Sequence, residues 1–575
     1  MPNFEGHVKA LREEIAAEME EGGGKELRCA VQSAERVKGT AVVRVQVLHG
    51  DPRWVVAGSR VEGFLPDARG DDDSAYVEVV QKAGGILQLE SDDKRWGDLR
   101  SGAEVSLRPQ TNAALYRNLL KAFLVVRRRF PDAYADLERP DGLPRRNDAA
   151  VAGLDETGLR PAQAKALRAA VNLPEHGILL VQGPPGTGKT TVIARILKEE
   201  ARRHRTVLLA SHTHVAIDNA LRKTLLAAPA LAARMVRLGE SGRVAPDVAH
   251  LNKRIASFRA DPEDPDARPL FETLQERHPI AAMTLDALAS ALLAADQDNQ
   301  EVRPFDTVVI DEAGMNAFPK TAVAAAVGRR LILVGDPLQL PPIVRGRSAQ
   351  RNENHRRSHF ELLQMMRPDL AVLLDEQFRC DPAIYGWSRD AVYGGKVSSR
   401  RPSNGSAWKI LGKAVGPVVW IDTSQVPGNK SEQRGTSRAN PTHVALALKV
   451  AQELLKQGLT AADVGYITPF RAQAAAFQEA VAAGKSRLAP LARMTAATVD
   501  AFQGNERRAI LFDLTTTHPA KPHEDHRRLN VSLTRAQDLL ILIGPRPYVK
   551  RPEENPFLWS LQQWAAPAVV LPPVA

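Results

Sequence analysis

Only two cysteines, Cys29 and Cys380, occur in 575 residues. They are too few and too far apart for a disulfide framework or a four-ligand zinc site, and they fit a reducing, cytoplasmic setting. No stretch reaches the roughly 18 apolar residues of a membrane span, and the N-terminal MPNFEGHVKALREE has no apolar segment of signal-peptide type. A soluble protein with no membrane partner is expected. Aromatic residues are scarce at 5%, yet hydrophobic residues reach 44% and charged residues 25%, a globular balance that excludes disorder and low-complexity classes. Acidic residues are the minority charge, 67 against 77 Lys and Arg for a net +10, which leans toward a polyanionic partner. From Ala371 onward Lys and Arg number 25 against 17 Asp and Glu, so the cationic surface is expected mainly on the C-terminal part.

At about 100 to 200 residues per domain the length gives roughly three to five compact units, which excludes a single small binding module. Phe4, Val8, Leu11, Ile15 and Met19 recur at helical spacing, ended by the run Glu21 to Gly24. This predicts an N-terminal helix over 1–26. Short alternating runs such as 43–47 (VRVQV) and 76–80 (YVEVV), with the turn Gly84-Gly85 before 86–89, predict a small β-barrel or sandwich over 27–108. Helical period returns at 112–130, so the second helix is set at 109–139 and the pair brackets the β module as a stalk.

After a turn-rich linker at 140–151, apolar runs at 178–181, 207–210, 307–310 and 331–334 alternate with helices, the pattern of a parallel sheet covered on both faces. A first α/β domain is placed at 140–219 and 281–370. It is interrupted by an Ala/Leu-rich helical insertion at 220–280 that includes the loop 261–268 (DPEDPDAR). A second set of apolar runs, at 417–421, 464–467, 497–499, 509–514 and 539–543, predicts another α/β domain over 371–575. No internal repeat of 20 to 50 residues is present.

Two motifs carry the chemistry. Gly183, Pro184, Pro185, Gly186, Thr187, Gly188, Lys189 and Thr190, followed by Thr191, match G-x-x-x-x-G-K-[ST] between an apolar strand and a helix. Glycines let backbone N–H groups close around phosphates, Lys189 suits the β/γ-phosphates of ATP, and Thr190 suits Mg²⁺. The run 306–312 (DTVVIDE) ends a buried strand with two carboxylates: Asp311 suits the magnesium shell and Glu312 a water-activating base.

Nine motifs then stand in one order: LRPAQAKAL (159–167), QGPPGTGKTT (182–191), SHTHVAIDNAL (211–221), VIDEAGM (309–315), VGDPLQLPP (334–342), DEQFRCDPAI (375–384), ITPFRAQ (467–473), TVDAFQGNE (498–506) and RRLNVSLTRA (527–536). In them the chain resembles the superfamily 1B helicases of the Upf1-like, DNA2-NAM7 family. The resemblance implies two tandem RecA-like domains with a β-barrel on a helical stalk, and an ATP-driven motor moving 5′ to 3′ on single-stranded DNA or RNA. By matching position it implies that Gln163 reads the adenine edge. Phe378 stands where a Tyr usually stacks on the base, and Glu506 would contact the ribose. Gln339 would sense the γ-phosphate, and Arg379 and Arg535 would approach it from the second domain. It also implies that Ser211, Thr213, Thr284, Thr468, Pro469 and Thr498 line the nucleic-acid backbone, where short hydroxyls grip phosphates without reading bases.

The chain departs from the family at 211–214, where SHTH replaces the usual Ser-Asn. His212 and His214 are weighed as metal ligands, without support from a nearby Cys. Basic clusters at 127–129, 202–205 and 351–357 are candidates for an electrostatic track or for solvated faces, and Trp387, Trp408 and Trp420 for base stacking or core packing. With no Cys/His-rich region ahead of the core, no evident nuclease cluster and an end at Ala575 soon after the last motif, a bare monomeric motor is expected. A nucleotide-gated clamp without unwinding is the alternative, and a small-molecule phosphotransferase is disfavoured by the second α/β domain.

Overall fold

In the computed structural model the alternating runs after residue 26 form a closed antiparallel barrel. Its strands are β1 (Leu27–Val37), β2 (Thr40–His49), β3 (Arg60–Phe64), β4 (Ser74–Ala83), β5 (Ile86–Ser91) and β6 (Glu104–Pro109), ordered β1-β2-β5-β4-β3-β6, with β6 pairing back onto β1. Period-two alternation turns every second side chain inward. Leu27, Cys29, Val31, Val43, Val45, Leu87 and Leu89 are all buried, and Trp96 packs among them. Gly63 is required beside that indole, because a Cβ there would stand 2.4 Å from the ring. The structure describes the whole chain except residues 1–2, 23–25, 38–39, 52–59, 67–73, 84, 92, 110–112, 240–241, 243, 254–268, 347–349, 351, 404, 406, 566–568 and 571–575. Gly23, Gly24, Gly84, Arg351 and the loop 261–268, all used in the sequence reading, lie outside the described residues.

The barrel belongs to one compact unit, Pro2–Ala122 with Val344–Arg356; the other comprises Phe123–Ile343 and Arg357–Ala575. Residues 344–356 are therefore not part of the first α/β domain, where the sequence reading put them. The reason lies in helix α1 (Phe4–Gly22), whose buried stripe includes the carboxylates Glu14 and Glu18 as well as Val8 and Leu11. Glu14 accepts the backbone N–H groups of Arg345 and Gly346, each at 2.8 Å, and Glu18 pairs with the Arg345 guanidinium at 2.8 Å. Burial raises the Glu14 carboxyl above its ordinary value, and the two amide bonds pull it back.

The larger unit holds two parallel sheets. The first has eight strands: β7 (Ile178–Gln182), β8 (Val207–Ser211), β9 (Met235–Leu238), β10 (Asn252–Lys253), β11 (Ile280–Thr284), β12 (Thr307–Asp311), β13 (Leu331–Gly335) and β14 (Ala371–Leu373). Their order is β10-β9-β11-β8-β12-β13-β7-β14, every pair parallel. Strands β7, β8, β11, β12 and β13 are buried throughout, as a sheet covered on both faces requires. Two features differ from the sequence reading. Between 220 and 280 the chain carries, besides helices, strands β9 and β10, which extend the sheet. Arg237 hid β9 by interrupting its apolar run, yet its side chain is fully buried because Asp218 accepts from its Nε at 2.9 Å. Strand β14 pairs with β7, so the crossover to the second sheet follows Leu373 rather than Leu370.

The second sheet comprises β19 (Val418–Asp422), β22 (Val464–Thr468), β23 (Thr495–Thr498), β24 (Arg507–Asp513), β25 (Ala536–Gly544) and β26 (Val569–Val570), ordered β23-β22-β24-β25-β19-β26 and parallel throughout. Three two-stranded pairs stand beside it: β15 (Glu376–Gln377) with β16 (Ser398–Ser399), β17 (Trp408–Ile410) with β18 (Lys413–Val415), and β20 (Glu432–Arg434) with β21 (Ser437–Ala439). Trp387, Trp408 and Trp420 are buried in its cores, and Trp387 and Trp420 spend their N–H groups on Ser560 Oγ and the Gly544 carbonyl. That removes base stacking as their role. No described helix is long and apolar enough to cross a membrane.

Candidate active site

Parallel strands align their carboxyl ends on one edge. Register places Asp311 opposite Ser211 and Ser211 opposite Thr284, while Gly335 faces Gln182 at the root of the phosphate loop. The loop 183–188 leads from β7 into the helix Lys189–Arg202. Gly186 and Gly188 have φ of 76° and 83°, a region that side-chain-bearing residues enter at a cost. The Lys189 ammonium donates to the Gly183 carbonyl at 2.6 Å and Thr187 Oγ1 to the Pro184 carbonyl at 2.8 Å, so the loop is closed on itself. Thr190 and Thr191 follow in the first turn of that helix, at the end that favours anions.

Asp311 is buried at the end of β12 and accepts the Glu312 N–H at 2.8 Å. Burial and the neighbouring Glu312 push its carboxyl up to about 7, with Lys189 opposing. A buried carboxylate short of positive charge, beside a loop of backbone amides and a lysine, fits a magnesium-bound nucleoside triphosphate. Glu312 follows in a left-handed conformation at φ 55°, a strained turn that redirects the chain after the strand.

The second half of the polypeptide reaches this edge through the segment 376–379. The Phe378 N–H donates to the Gly186 carbonyl at 3.0 Å, and a Cβ on Gly186 would stand 2.6 Å from Arg379 Cβ, so glycine is needed for that approach. The Phe378 ring is 41% exposed and has the Arg160 guanidinium 5.7 Å from its centroid, leaving an aromatic face accessible for stacking. Arg160 and Arg400 both pair with Glu376, holding its carboxyl down at about 2. Gln163, buried at the start of the helix Pro161–Val171, accepts from the Arg160 N–H at 3.1 Å and donates to the Thr187 carbonyl at 2.9 Å. Its amide thus braces the phosphate loop.

Arg535 is buried, and its Nη2 donates to Gln339 Oε1 at 3.3 Å. Burial, with Arg379 nearby, pushes its guanidinium down to about 10. Arg379 forms an ion pair with Glu506, which also accepts from Gln537 Nε2 at 2.8 Å. The residues named for hydrolysis are thereby gathered on one edge, while Glu506 holds Arg379. Three residues went unassigned in the sequence reading. Asp336, Tyr393 and Asn530 form a buried hydrogen-bonded chain next to Gln339. The signal for two of them was present, since Asp336 and Asn530 stand inside quoted motifs.

The groove candidates divide. Ser211, Thr284 and Thr468 are buried, and their hydroxyls accept from Thr213 N–H, Ala287 N–H and Phe470 N–H. Thr213, Pro469 and Thr498 are half-buried, with Thr498 opposite Thr468 in the ladder between β22 and β23. His212 Nδ1 lies 3.1 Å from Lys320 Nζ, and His214 Nδ1 lies 2.8 Å from Arg237 Nη2. The Lys320 charge and burial push His212 down to about 4. A ring nitrogen facing a cation is a poor metal ligand, and among the described residues no group of three or more His, Cys, Asp or Glu is placed to hold a metal. At least six of the eight described arginines in the basic clusters are ion-paired: Arg128 and Arg129 with Asp296, Arg202 and Arg203 with Glu199, Arg205 with Glu200, Arg357 with Glu361.

Two family models, each described as an AAA domain, match the chain, one over residues 158–261 and 270–346 and the other over 355–547. Among curated relatives, the DNA replication ATP-dependent helicase/nuclease JHS1 of Arabidopsis thaliana is 27% identical over 462 residues, 76% of this chain and 32% of that protein. The corresponding DNA2 protein of Mus musculus is 28% identical over 432 residues, 68% of this chain and 38% of that protein. The chain thus spans about a third of the length of the relatives it matches. Among solved structures, Arterivirus nonstructural protein 10 (helicase) in complex with DNA aligns with 94% of this chain and 80% of its own at 12% identity and a TM-score of 0.41.

Proposed function

We propose that this chain, which belongs to the superfamily 1B helicases of the DNA2-NAM7 type, is an ATP-dependent motor that moves 5′ to 3′ along single-stranded nucleic acid. The observation that carries the reading is the hydrogen bond from Arg535, on the polypeptide of the second sheet, to Gln339 beside the phosphate loop of the first. It joins a residue suited to developing phosphoryl charge to one suited to sensing it, across the two sheets.

Lys189 and the loop amides would hold the β/γ-phosphates of ATP, and Thr190 and Asp311 the magnesium ion, which supplies charge neutralisation at the transferred phosphoryl. Glu312 would take the proton from the attacking water. Arg379 would leave Glu506 to reach the phosphate, and Arg535 would stabilise the transition state, a role worth roughly 10³ to 10⁵ in rate. Phe378 offers its exposed face to the base. Contacts that exist only with nucleotide present would draw the two sheets together, and hydrolysis would release them. Thr213, Pro469 and Thr498 would meet the strand, with Ser211, Thr284 and Thr468 bracing the loops behind them. DNA is the favoured track, because the relatives named above are DNA replication enzymes.

Glu312→Gln is expected to bind ATP normally and hydrolyse it at least 10² times more slowly; unchanged turnover would sink the assignment. Strand displacement from a 5′ overhang but not a 3′ overhang is expected. ATP turnover without displacement from either overhang would favour a nucleotide-gated clamp.

A further inference from the structure

Asp336, directly after β13, is 2% exposed, and four donors converge on its carboxylate. Oδ2 accepts from Gln339 Nε2 at 3.0 Å and from the Tyr393 hydroxyl at 2.6 Å. Oδ1 accepts from the Leu338 N–H at 3.2 Å and from Gln182 Nε2 at 3.4 Å. Tyr393 and Asn530 come from the polypeptide of the second sheet, and both are buried. Asn530 Nδ2 donates to the Tyr393 hydroxyl and to the Leu338 carbonyl, each at 2.9 Å. Gln339 is consequently held at both ends of its amide, by Asp336 at Nε2 and by Arg535 at Oε1.

A planar amide fixed at one end only rotates about its last torsion; fixed at both, it has one orientation. Both side chains that hold it depend on the docking of the second sheet: Arg535 directly, and Asp336 through its shortest hydrogen bond, from the Tyr393 hydroxyl that Asn530 holds within the same polypeptide. Withdrawal of that sheet takes the Tyr393 hydroxyl away from a buried carboxylate, which is costly; Oδ1 stays held by the Leu338 N–H and Gln182, but Oδ2 loses its shortest bond and the Gln339 amide loses the fixed oxygen it is set against. We infer that Tyr393 is a positioning residue for ATP hydrolysis. Its hydroxyl, acting through Asp336, sets the Gln339 amide against Arg535 only while the two sheets are docked. The inference rests on the functional reading above and adds to it a residue outside the nucleotide contacts.

Tyr393→Phe removes one oxygen and keeps the ring stacked on Tyr385, whose centroid is 6.2 Å away. In the full chain with single-stranded DNA, kcat for ATP hydrolysis is expected to fall about tenfold, the worth of a hydrogen bond to a charged acceptor, with KM for ATP within about twofold. In a Gln339→Ala background the same substitution should make no further difference, because its path runs through Gln339. Asn530→Ala, which keeps both ring and hydroxyl, should give the same kcat-only loss. Equal losses in the two backgrounds, or full kcat in Tyr393→Phe and Asn530→Ala, overturn the inference. Wild-type turnover in Glu312→Gln overturns the functional reading and the inference with it, whereas normal dependence on Glu312 with a silent Tyr393→Phe refutes the inference alone.

Discussion

Asp311 and Asp513 each end a strand of a parallel sheet, and each is buried, but their surroundings differ. Asp311 accepts the Glu312 N–H, faces a second carboxylate, and is pushed up to about 7 by burial. Asp513 accepts from His443 Nδ1 at 2.7 Å, Gln473 Nε2 at 2.6 Å, the Thr515 N–H at 2.7 Å and the Tyr466 hydroxyl. Burial raises it too, but His443 and the hydrogen bonds outweigh that and hold the carboxyl below its ordinary value. One edge keeps an uncompensated charge for a ligand to complete. The other spends the same residue on holding itself together.

The contrast sorts functional loss from structural loss. Arg535→Ala, at the incomplete edge, should cut ATP turnover by roughly 10³ or more in protein whose melting shows it folded; a loss below tenfold would remove it from transition-state stabilisation. Asp513→Ala should instead destabilise the fold by about 3 to 5 kcal/mol, because a buried charged network loses its centre. Denaturant unfolding of that variant at wild-type midpoint would erase the difference between the two edges.

A pH titration sharpens the comparison. His523, next to the Asp513 loop, donates Nε2–H to the Leu514 carbonyl and takes the Ala520 N–H on Nδ1; burial pushes it down to about 4. It is neutral in the fold and binds a proton on unfolding below about 6.5. Its contribution is therefore complete above that pH and shrinks as pH falls toward 4, by up to about 1.4 kcal/mol per pH unit. His523→Gln should flatten the stability profile between pH 6.5 and 4, and an unchanged slope would contradict the neutral assignment. The smallest effect on stability is expected from Asp311→Asn. It removes a charge that burial disfavours, so nucleotide-free stability should be unchanged or higher by about 1 kcal/mol, while hydrolysis is lost. Destabilisation comparable to Asp513→Ala would show that Asp311 is structural.

The phosphate loop, the Asp311-Glu312 strand end and both parallel sheets were legible because each is a local pattern: glycines at fixed offsets, an apolar run, a terminal carboxylate. Long-range pairing was not. Strand β9 hides behind Arg237, whose burial becomes acceptable only once Asp218 is found across the fold. Residues 344–356 read as part of the first α/β domain, yet Glu14 and Glu18, which look like solvent-facing positions of an amphipathic helix, bind them. The hydroxyls of Ser211, Thr284 and Thr468 match a groove pattern, but their local use is to accept backbone N–H groups. The motif around Arg379 points it at phosphate, but its pairing with Glu506 joins residues more than a hundred positions apart in the chain. Tyr393 gave no signal, since a single tyrosine beside two glycines reads as a turn.

The measurement to make first is steady-state ATP hydrolysis by the full chain, without nucleic acid and then with single-stranded DNA and RNA of one sequence, each at two salt concentrations. Strong stimulation that weakens as salt rises is predicted, since a backbone-gripping groove releases counterions on binding. High turnover indifferent to either strand would contradict a nucleic-acid-coupled motor.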